Sequence, residues 1–259
     1  MFPIFHFDEA KLLIFALILL RVSAFLFTWP VFSVFSVPRP AKILLAVVLT
    51  ICLFPVIPHA ELSSEILSLN IIWFVMKEVF VGLCLGFFTR LLFFAVSVAG
   101  QLISTAMGLS SGQMFNPALG SQSTSTEQFF TTLATLIFLA INGHHYFLSG
   151  LAQSFDVIQI SSTGASFAFF KDIGDVLQMV CVAGIKISAP VMIAVFFLNI
   201  ALGIIGRVVP QINVLVTSLP INIMCGFMII FMMIPLYLTE VDALLNQMTS
   251  VLFKVMKSL

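Results

Sequence analysis

The chain has 259 residues, of which 61% are hydrophobic and only 8% are charged, and its mean hydropathy is +1.18. Soluble domains carry about 25% charged residues, so this composition predicts an integral membrane protein. The formal net charge is zero, with neither a basic face nor an acidic tail, so nucleic acid is not an expected partner.

The N-terminus and the cysteines exclude two further features. Residues 1–20 carry an acidic Asp8-Glu9 pair where a signal peptide has basic residues, so no removable signal peptide is expected. The four cysteines stand singly inside apolar runs, which favours buried side chains over a disulfide framework or a zinc site.

The first apolar segments do not suit simple membrane spans. Residues 8–29 predict a helix with Arg21 in its middle, where contact with lipid would be costly. After a turn at Pro38-Arg39-Pro40, residues 43–57 cover about 22 Å, less than the roughly 30 Å of a bilayer core. The second element is therefore expected to span poorly.

Residues 62–107 keep helical character for about 69 Å, more than twice a bilayer core. We expect this segment to bend, turn back or leave the membrane plane. Lys77-Glu78 and Arg90 interrupt its apolar pattern, and Gly82-x-x-x-Gly86 predicts close packing against another helix.

Residues 127–156 predict a helical stretch interrupted at Asn142-Gly143-His144-His145. Adjacent histidines point about 100° apart on a helix, which does not suit a metal site, so we interpret them as polar residues at a helix end. No metal is expected.

The last third of the chain is apolar and rich in proline. Residues 161–166 predict a loop, and residues 172–206 predict a long helix with Lys186 inside it and a kink at Pro190. Three further prolines are expected to cut residues 208–239 into pieces before a final amphipathic helix at residues 240–259: Pro210, Pro220 and Pro235.

A polar loop divides this apolar chain. Residues 108–126 are rich in Gly, Ser, Thr, Gln and Asn, and Pro117 forbids a continuous helix. The loop keeps isolated apolar side chains at Leu109, Met114, Phe115 and Leu119, so we expect other groups to pack around it. Thr124-x-x-Glu127 predicts a capping box that begins the next helix. The alternative is an ordinary surface loop between two membrane helices.

Catalytic motifs are weak or missing. Residues 108–112 match the G-x-S-x-G nucleophile elbow, but that motif needs a preceding strand, and an apolar helix is expected here. A serine nucleophile also needs a base, and the helices after His145 contain no histidine. Since no P-loop, dinucleotide fingerprint or helical zinc motif is present, we predict neither an enzyme nor a cofactor.

Charged and proline-broken helices are tolerated at membrane depth where protein or water surrounds them. We infer that much of this chain is buried in a larger helical assembly. Two alternatives stay open. One is a lone six-helix protein whose charges pair internally, for instance Lys77 with a neighbouring acid. The other is an autonomous small-solute transporter with broken helices around Pro190, Pro210 and Pro220.

Residues 199–213, reading NIALGIIGRVVPQIN, with Ser218-Leu219-Pro220, resemble the FliR family of flagellar biosynthesis proteins, which are related to the SctT proteins of injectisomes. The match covers essentially the whole chain, and its most specific part is Arg207 with Pro210 and Gln211. Further positions that agree are Arg21, Val37-Pro38, Ala41-Lys42, residues 99–101, residues 107–110 and Asn142-Gly143-His144.

The resemblance implies a structural and gating subunit of the flagellar type III export channel. Beside FliP and FliQ, and with FlhA and FlhB as further components, it would pass unfolded flagellar proteins across the bacterial inner membrane at the basal body. It implies an all-α, multi-pass helical membrane-type protein whose kinked, proline-broken hairpins pack in a larger helical assembly. The equivalent injectisome subunit is the alternative.

The resemblance also implies the parts of the chain and their roles. Residues 1–259 form a single subunit domain, with an N-terminal helical part at 1–107, a plug-like loop at 108–126 and a C-terminal helical part with broken hairpins at 127–259. The expected pore-plug residues are Met107, Gly108, Leu109, Gly112, Met114, Phe115, Asn116 and Pro117. The expected assembly residues are Arg21, Arg90, Arg207, Pro210, Gln211, Asn213 and Pro220.

Two of these roles have a physical rationale. Methionine is flexible and polarizable, so Met107 and Met114 could seal a pore against irregular neighbours, although core filling is the alternative. Pro210 frees backbone carbonyls that the Arg207 guanidinium could satisfy at the corner of a helical hairpin. An arginine at a membrane interface is the other interpretation of Arg207.

Overall fold

The computed structural model describes residues 9–31, 37–57, 71–110, 125–158, 160, 169–209, 211 and 213–258, and the regular secondary structure of this part of the chain is α-helical. The helices are α1 Glu9–Thr28, α2 Arg39–Leu53, α3 Ile71–Met107, α4 Ser125–Ala140, α5 Gly143–Val157, α6 Phe169–Val208 and α7 Val214–Ser258. The all-α, multi-pass membrane-type fold is therefore confirmed.

Four of the described helices are long and apolar enough to cross a membrane. The candidate spans are Lys11–Thr28, Ile71–Met107, Gly174–Val208 and Val216–Val251. Helix α2 has 15 residues, or about 22 Å, so the second element is short, as predicted. Helix α3 is one helix of 37 residues, about 56 Å, which exceeds a single bilayer crossing.

Prolines do not end the last two helices. Pro190 lies inside α6, and both Pro220 and Pro235 lie inside the 45-residue helix α7. The prediction that Pro220 and Pro235 would cut this segment, leaving a separate final helix at residues 240–259, is therefore wrong. A proline removes one helical hydrogen bond, whereas a helix end leaves about four donors or acceptors unsatisfied, which is the greater cost in apolar surroundings.

The break between α4 and α5 lies where the sequence predicts it. Helix α4 ends at Ala140, and α5 begins at Gly143 after Asn142, whose φ of 56° and ψ of 28° are left-handed. Asparagine tolerates this conformation better than most residues, so Asn142 can separate two helices without a long connection. His144 and His145 follow in the first turn of α5, at a helix end as expected.

The chain divides into two compact units that alternate along the sequence. The first comprises Met1–Leu91, Asn142–Asp175 and Gln247–Leu259, and the second comprises Leu92–Ile141 and Val176–Asn246. Helix α3 contributes its first part to one unit and its last part to the other. The parts expected from the sequence, residues 1–107, 108–126 and 127–259, are consecutive along the chain and describe a different kind of division. That division stays a prediction.

In the first unit, α1 packs closely against α3 across glycines. A β-carbon at Gly82 would meet the Arg21 carbonyl oxygen and lie 2.9 Å from Ala24 Cβ. A β-carbon at Gly86 would meet Thr28 Oγ1 and lie 2.9 Å from the Phe25 carbonyl oxygen. The Gly82-x-x-x-Gly86 motif therefore forms a packing face, as predicted.

In the second unit, α6 and α7 form an antiparallel hairpin. Asn222 Nδ2 donates to Asn199 Oδ1 at 2.9 Å, and nearer the connection a β-carbon at Gly206 would meet Val214 Cγ2. Farther from the connection, Tyr237 of α7 donates its hydroxyl to the Phe130 carbonyl of α4 at 2.8 Å. One polar contact thus joins α6 to α7, and a second joins α7 to α4.

Candidate functional site

The entry to the polar loop is a well-formed helix end. Gly108 has φ of 79°, and its N–H donates to the Thr105 carbonyl at 3.1 Å, while the Leu109 N–H donates to the Ser104 carbonyl at 3.0 Å. These two bonds form the Schellman motif, in which a glycine with positive φ satisfies the last carbonyls of a helix. Gly108 therefore has a definite structural role as the residue that ends α3.

Met107, the last residue of α3, is completely buried. It lies directly against Gly226 of α7, where a β-carbon would be only 2.6 Å from Met107 Cγ and Cε. The absence of a side chain at Gly226 makes the space that Met107 fills. This contact attaches the beginning of the loop to α7 inside the second unit.

The exit from the loop returns to the same helix. Helix α4 begins at Ser125, and Glu127 lies in its first turn, where a negative charge suits the helix dipole. Ser97 of α3 donates its hydroxyl to Glu127 Oε1, and a β-carbon at Gly100 would lie 2.5 Å from Glu127 Cα. Both ends of the loop are therefore held against the last three turns of α3.

The described part of the expected plug is its base. Met107 is buried, Gly108 is half-buried, and Leu109 is 36% exposed. Thr124, the first residue of the predicted capping box, lies outside the described residues, although the helix begins where the box predicts. The other expected plug residues also lie outside them: Gly112, Met114, Phe115, Asn116 and Pro117.

Arg21 is the centre of a buried polar network in the first unit. Its Nε donates to Glu78 Oε2 at 2.5 Å and its Nη2 to Glu78 Oε1 at 2.9 Å, and both side chains have zero exposure. Such a two-bond contact is the strongest geometry for an arginine and a carboxylate. The positive charge is therefore neutralised within the chain.

Helix α5 completes this network. Arg21 Nη1 donates to Ser154 Oγ at 3.1 Å, and Nη2 donates to the Ile158 carbonyl just after the helix at 3.0 Å. The guanidinium carbon also lies 4.0 Å from the centre of the Phe155 ring. Since its side chain is enclosed by its own chain, Arg21 can serve assembly only by holding α1, α3 and α5 together.

Sequence reasoning did not identify Glu78 as the partner of Arg21. It considered Lys77 as the residue that pairs with an acid, whereas the structure pairs the acid beside Lys77 with an arginine 57 residues away. The sequence did contain a signal for this pair. Arg21 and Glu78 lie in separate apolar segments, and each charge would be costly in lipid without a partner of opposite charge.

The expected assembly residues near the connection between α6 and α7 are exposed where the structure describes them. Arg207 is exposed in the last turn of α6 and makes no hydrogen bond with any described residue, while Pro210 lies outside the described part. Exposed Gln211 and Asn213 follow, and Asn213 Oδ1 accepts from the Val216 N–H at 3.4 Å at the start of α7. Exposed Pro220 lies within the first two turns of α7. The described members of this set therefore lie at or within two turns of the connection between α6 and α7.

Comparison with known proteins gives one consistent result. The family described as bacterial export proteins, family 1, matches residues 12–248 of this chain. The flagellar biosynthetic protein FliR of Bacillus subtilis (strain 168) is 34% identical over 222 residues, which cover 83% of this chain and 84% of that protein.

Two further bacteria have similar proteins. The flagellar biosynthetic protein FliR of Aquifex aeolicus (strain VF5) is 30% identical over 220 residues, covering 83% of each chain. That of Escherichia coli (strain K12) is 27% identical over 241 residues, covering 93% of this chain and 92% of its own. The similarity therefore extends over most of this chain and most of each relative.

Removing one partner of the buried ion pair should destabilise the protein more than removing both. Glu78→Gln leaves the Arg21 charge buried without its counter-ion, which costs about 3–5 kcal/mol, whereas apolar replacement of both partners is often close to neutral. We expect Glu78→Gln to lower the melting temperature of the purified protein strongly, and Arg21→Met with Glu78→Leu to lower it much less. Thermal unfolding in one detergent measures both. A double variant no more stable than Glu78→Gln would contradict this account.

The contact between Met107 and Gly226 can be tested with a matched glycine. Gly226→Ala forces a β-carbon onto Met107, and such overpacking costs about 1–3 kcal/mol. Gly203→Ala, on α6 of the same hairpin, adds the same methyl group where nothing lies within 4 Å. We expect thermal unfolding to show a loss only for Gly226→Ala, and Met107→Ala to restore part of it. Equal stability of the two alanine variants would show that the contact is not tight.

Proposed function

Because this chain belongs to the FliR family of flagellar biosynthetic proteins, we propose that it is a structural and gating subunit of the flagellar type III protein export channel. It is a membrane component of the flagellar export apparatus. In this proposal it joins FliP- and FliQ-type subunits, with FlhA- and FlhB-type components nearby, in the inner membrane at the basal body. It passes unfolded flagellar proteins and acts without catalysis or a cofactor.

The observation that carries the gating role is the attachment of the polar loop. Met107 fixes the start of the loop to Gly226, and Glu127 fixes its end beside Ser97 and Gly100. Attachment of both ends to rigid helices fixes where the loop can act, because rigid elements position a functional segment precisely. Such a loop suits a closure that must block a channel and still yield to a substrate.

The assembly role is supported by surfaces that the chain leaves open. In the most apolar 18-residue window of each span in the hairpin, only 11% of the residues are buried within the chain for Gly174–Val208 and only 22% for Val216–Val251. Lys186, inside the first of these spans, is exposed and makes no ion pair with the described residues. A charge within an apolar span favours contact with protein or water over contact with lipid.

Co-expression tests the assembly role. We would produce this chain with FliP- and FliQ-type subunits and also alone, and measure the mass of each detergent-solubilised species. The proposal expects a stable mixed complex, and a solitary chain that is unstable or degraded. A monodisperse monomer or homodimer that ignores the partners would contradict it.

The gating role can be tested in cells. Replacing both Met114 and Phe115 with serine removes the large apolar side chains of the expected plug, so we expect normal assembly but leakage of ions across the membrane. Membrane conductance measures the leak, and recovery of the mixed complex is the control. A conductance equal to that of the unmodified protein, with the complex intact, would overturn the gating role.

A further inference from the structure

Helix α3 has one narrow exposed stripe. Between Phe74 and Val96 every described side chain is buried or half-buried except six, and these six follow one another in steps of 4, 3, 4, 3 and 4 residues. The five apolar members are between 39% and 61% exposed. We call this set the open seam, and its residues are Met76, Phe80, Leu83, Phe87, Arg90 and Phe94.

The spacing of the open seam is that of helix-to-helix packing. Alternate steps of three and four residues place side chains in one line along a helix, which is the pattern that receives a second helix. Its 19 residues from Met76 to Phe94 cover about 27 Å, close to the thickness of a bilayer core. The shape therefore fits a helix that crosses the membrane beside α3.

Lipid alone would be a poor neighbour for this seam. Its five apolar side chains could face acyl chains, but an arginine on an apolar span is costly there and cannot be neutralised by losing its proton. Arg90 lies 19 residues after Ile71 and 17 before Met107, so it is about 25 Å or more from either end of α3. Its charge needs a partner near the middle of the helix.

The chain itself does not supply that partner among the described residues. Arg21 also lies well inside a candidate membrane span, Lys11–Thr28. It is fully buried and bound to Glu78 by two hydrogen bonds. Arg90, in contrast, is exposed and makes no hydrogen bond or ion pair with any residue that the structure describes. Both arginines need a negatively charged partner inside an apolar span. Arg21 finds this partner within the chain, whereas Arg90 does not find one among the described residues.

We propose that the open seam binds an apolar membrane helix of another export subunit, and that an aspartate or glutamate on this helix pairs with Arg90. The inference rests on the proposed function, because it names the chemistry of a partner within that assembly. The apolar side chains on both sides of Arg90 exclude water from the pair, which strengthens the charge contact. Its planar guanidinium can accept a carboxylate with two parallel hydrogen bonds.

Charge reversal at Arg90 is the first test. We would co-express the chain with FliP- and FliQ-type subunits and measure the recovered mixed complex by native mass spectrometry. Arg90→Glu places two carboxylates together, so recovery should fall by about tenfold or more, whereas Arg90→Lys keeps the charge and should retain most of it. Recovery of the Arg90→Glu complex at the level of the unmodified protein would overturn the inference alone. Failure of the unmodified chain to recruit any subunit would overturn both this inference and the proposed function.

A crosslink identifies the helix and makes a rescue possible. With p-benzoylphenylalanine in place of Phe87, one turn from Arg90, irradiation should attach the chain to a peptide from an apolar helix that contains Asp or Glu. Changing that acid to lysine should restore recovery of the Arg90→Glu complex. Crosslinks only to lipid, or to a second copy of this chain, would overturn the inference, as would a failed rescue.

Discussion

The buried pair of Arg21 and Glu78 is the interaction on which the first unit depends. It joins three helices that lie far apart in the sequence, since Arg21 is on α1, Glu78 on α3, and Ser154 and the Ile158 carbonyl belong to α5 and its end. An unpaired charge at this depth would be costly, so the three helices can settle only where all these groups meet. Gly82 and Gly86 let α1 come close enough to α3 for the pair to form.

The second unit is held together by close helix contacts at glycines, whereas the first unit depends on a buried ion pair. Met107 fills the space left by Gly226, Glu127 approaches Gly100, and a β-carbon at Gly184 would lie 3.1 Å from the Ala95 carbonyl oxygen. Each contact brings a helix backbone close to α3, because glycine lets backbones approach where no other residue can. The polar loop begins and ends among these contacts, so its position depends on how tightly the unit packs.

Much of the helical fold can be predicted from hydropathy, and the exceptions have identifiable reasons. The short α2, the break at Asn142 and the packing role of Gly82-x-x-x-Gly86 follow from local patterns. The continuity of α7 through Pro220 does not follow from local patterns. A rule that ends helices at proline ignores the free-energy cost of leaving backbone groups without hydrogen bonds in apolar surroundings. The partners Glu78 and Gly226 were missed because each contact joins residues that only the tertiary structure brings together.

The attachment of both loop ends to one helix has a consequence for how the loop can evolve. Because α3 and α4 fix the two ends, the closure entropy of the intervening segment grows slowly with its length, and doubling that length would cost only about 0.6 kcal/mol. Closure entropy therefore sets little limit on insertions and deletions between Gly108 and Ser125. The length and composition of this segment can follow the width and chemistry of whatever it meets, while the helices around it keep their arrangement.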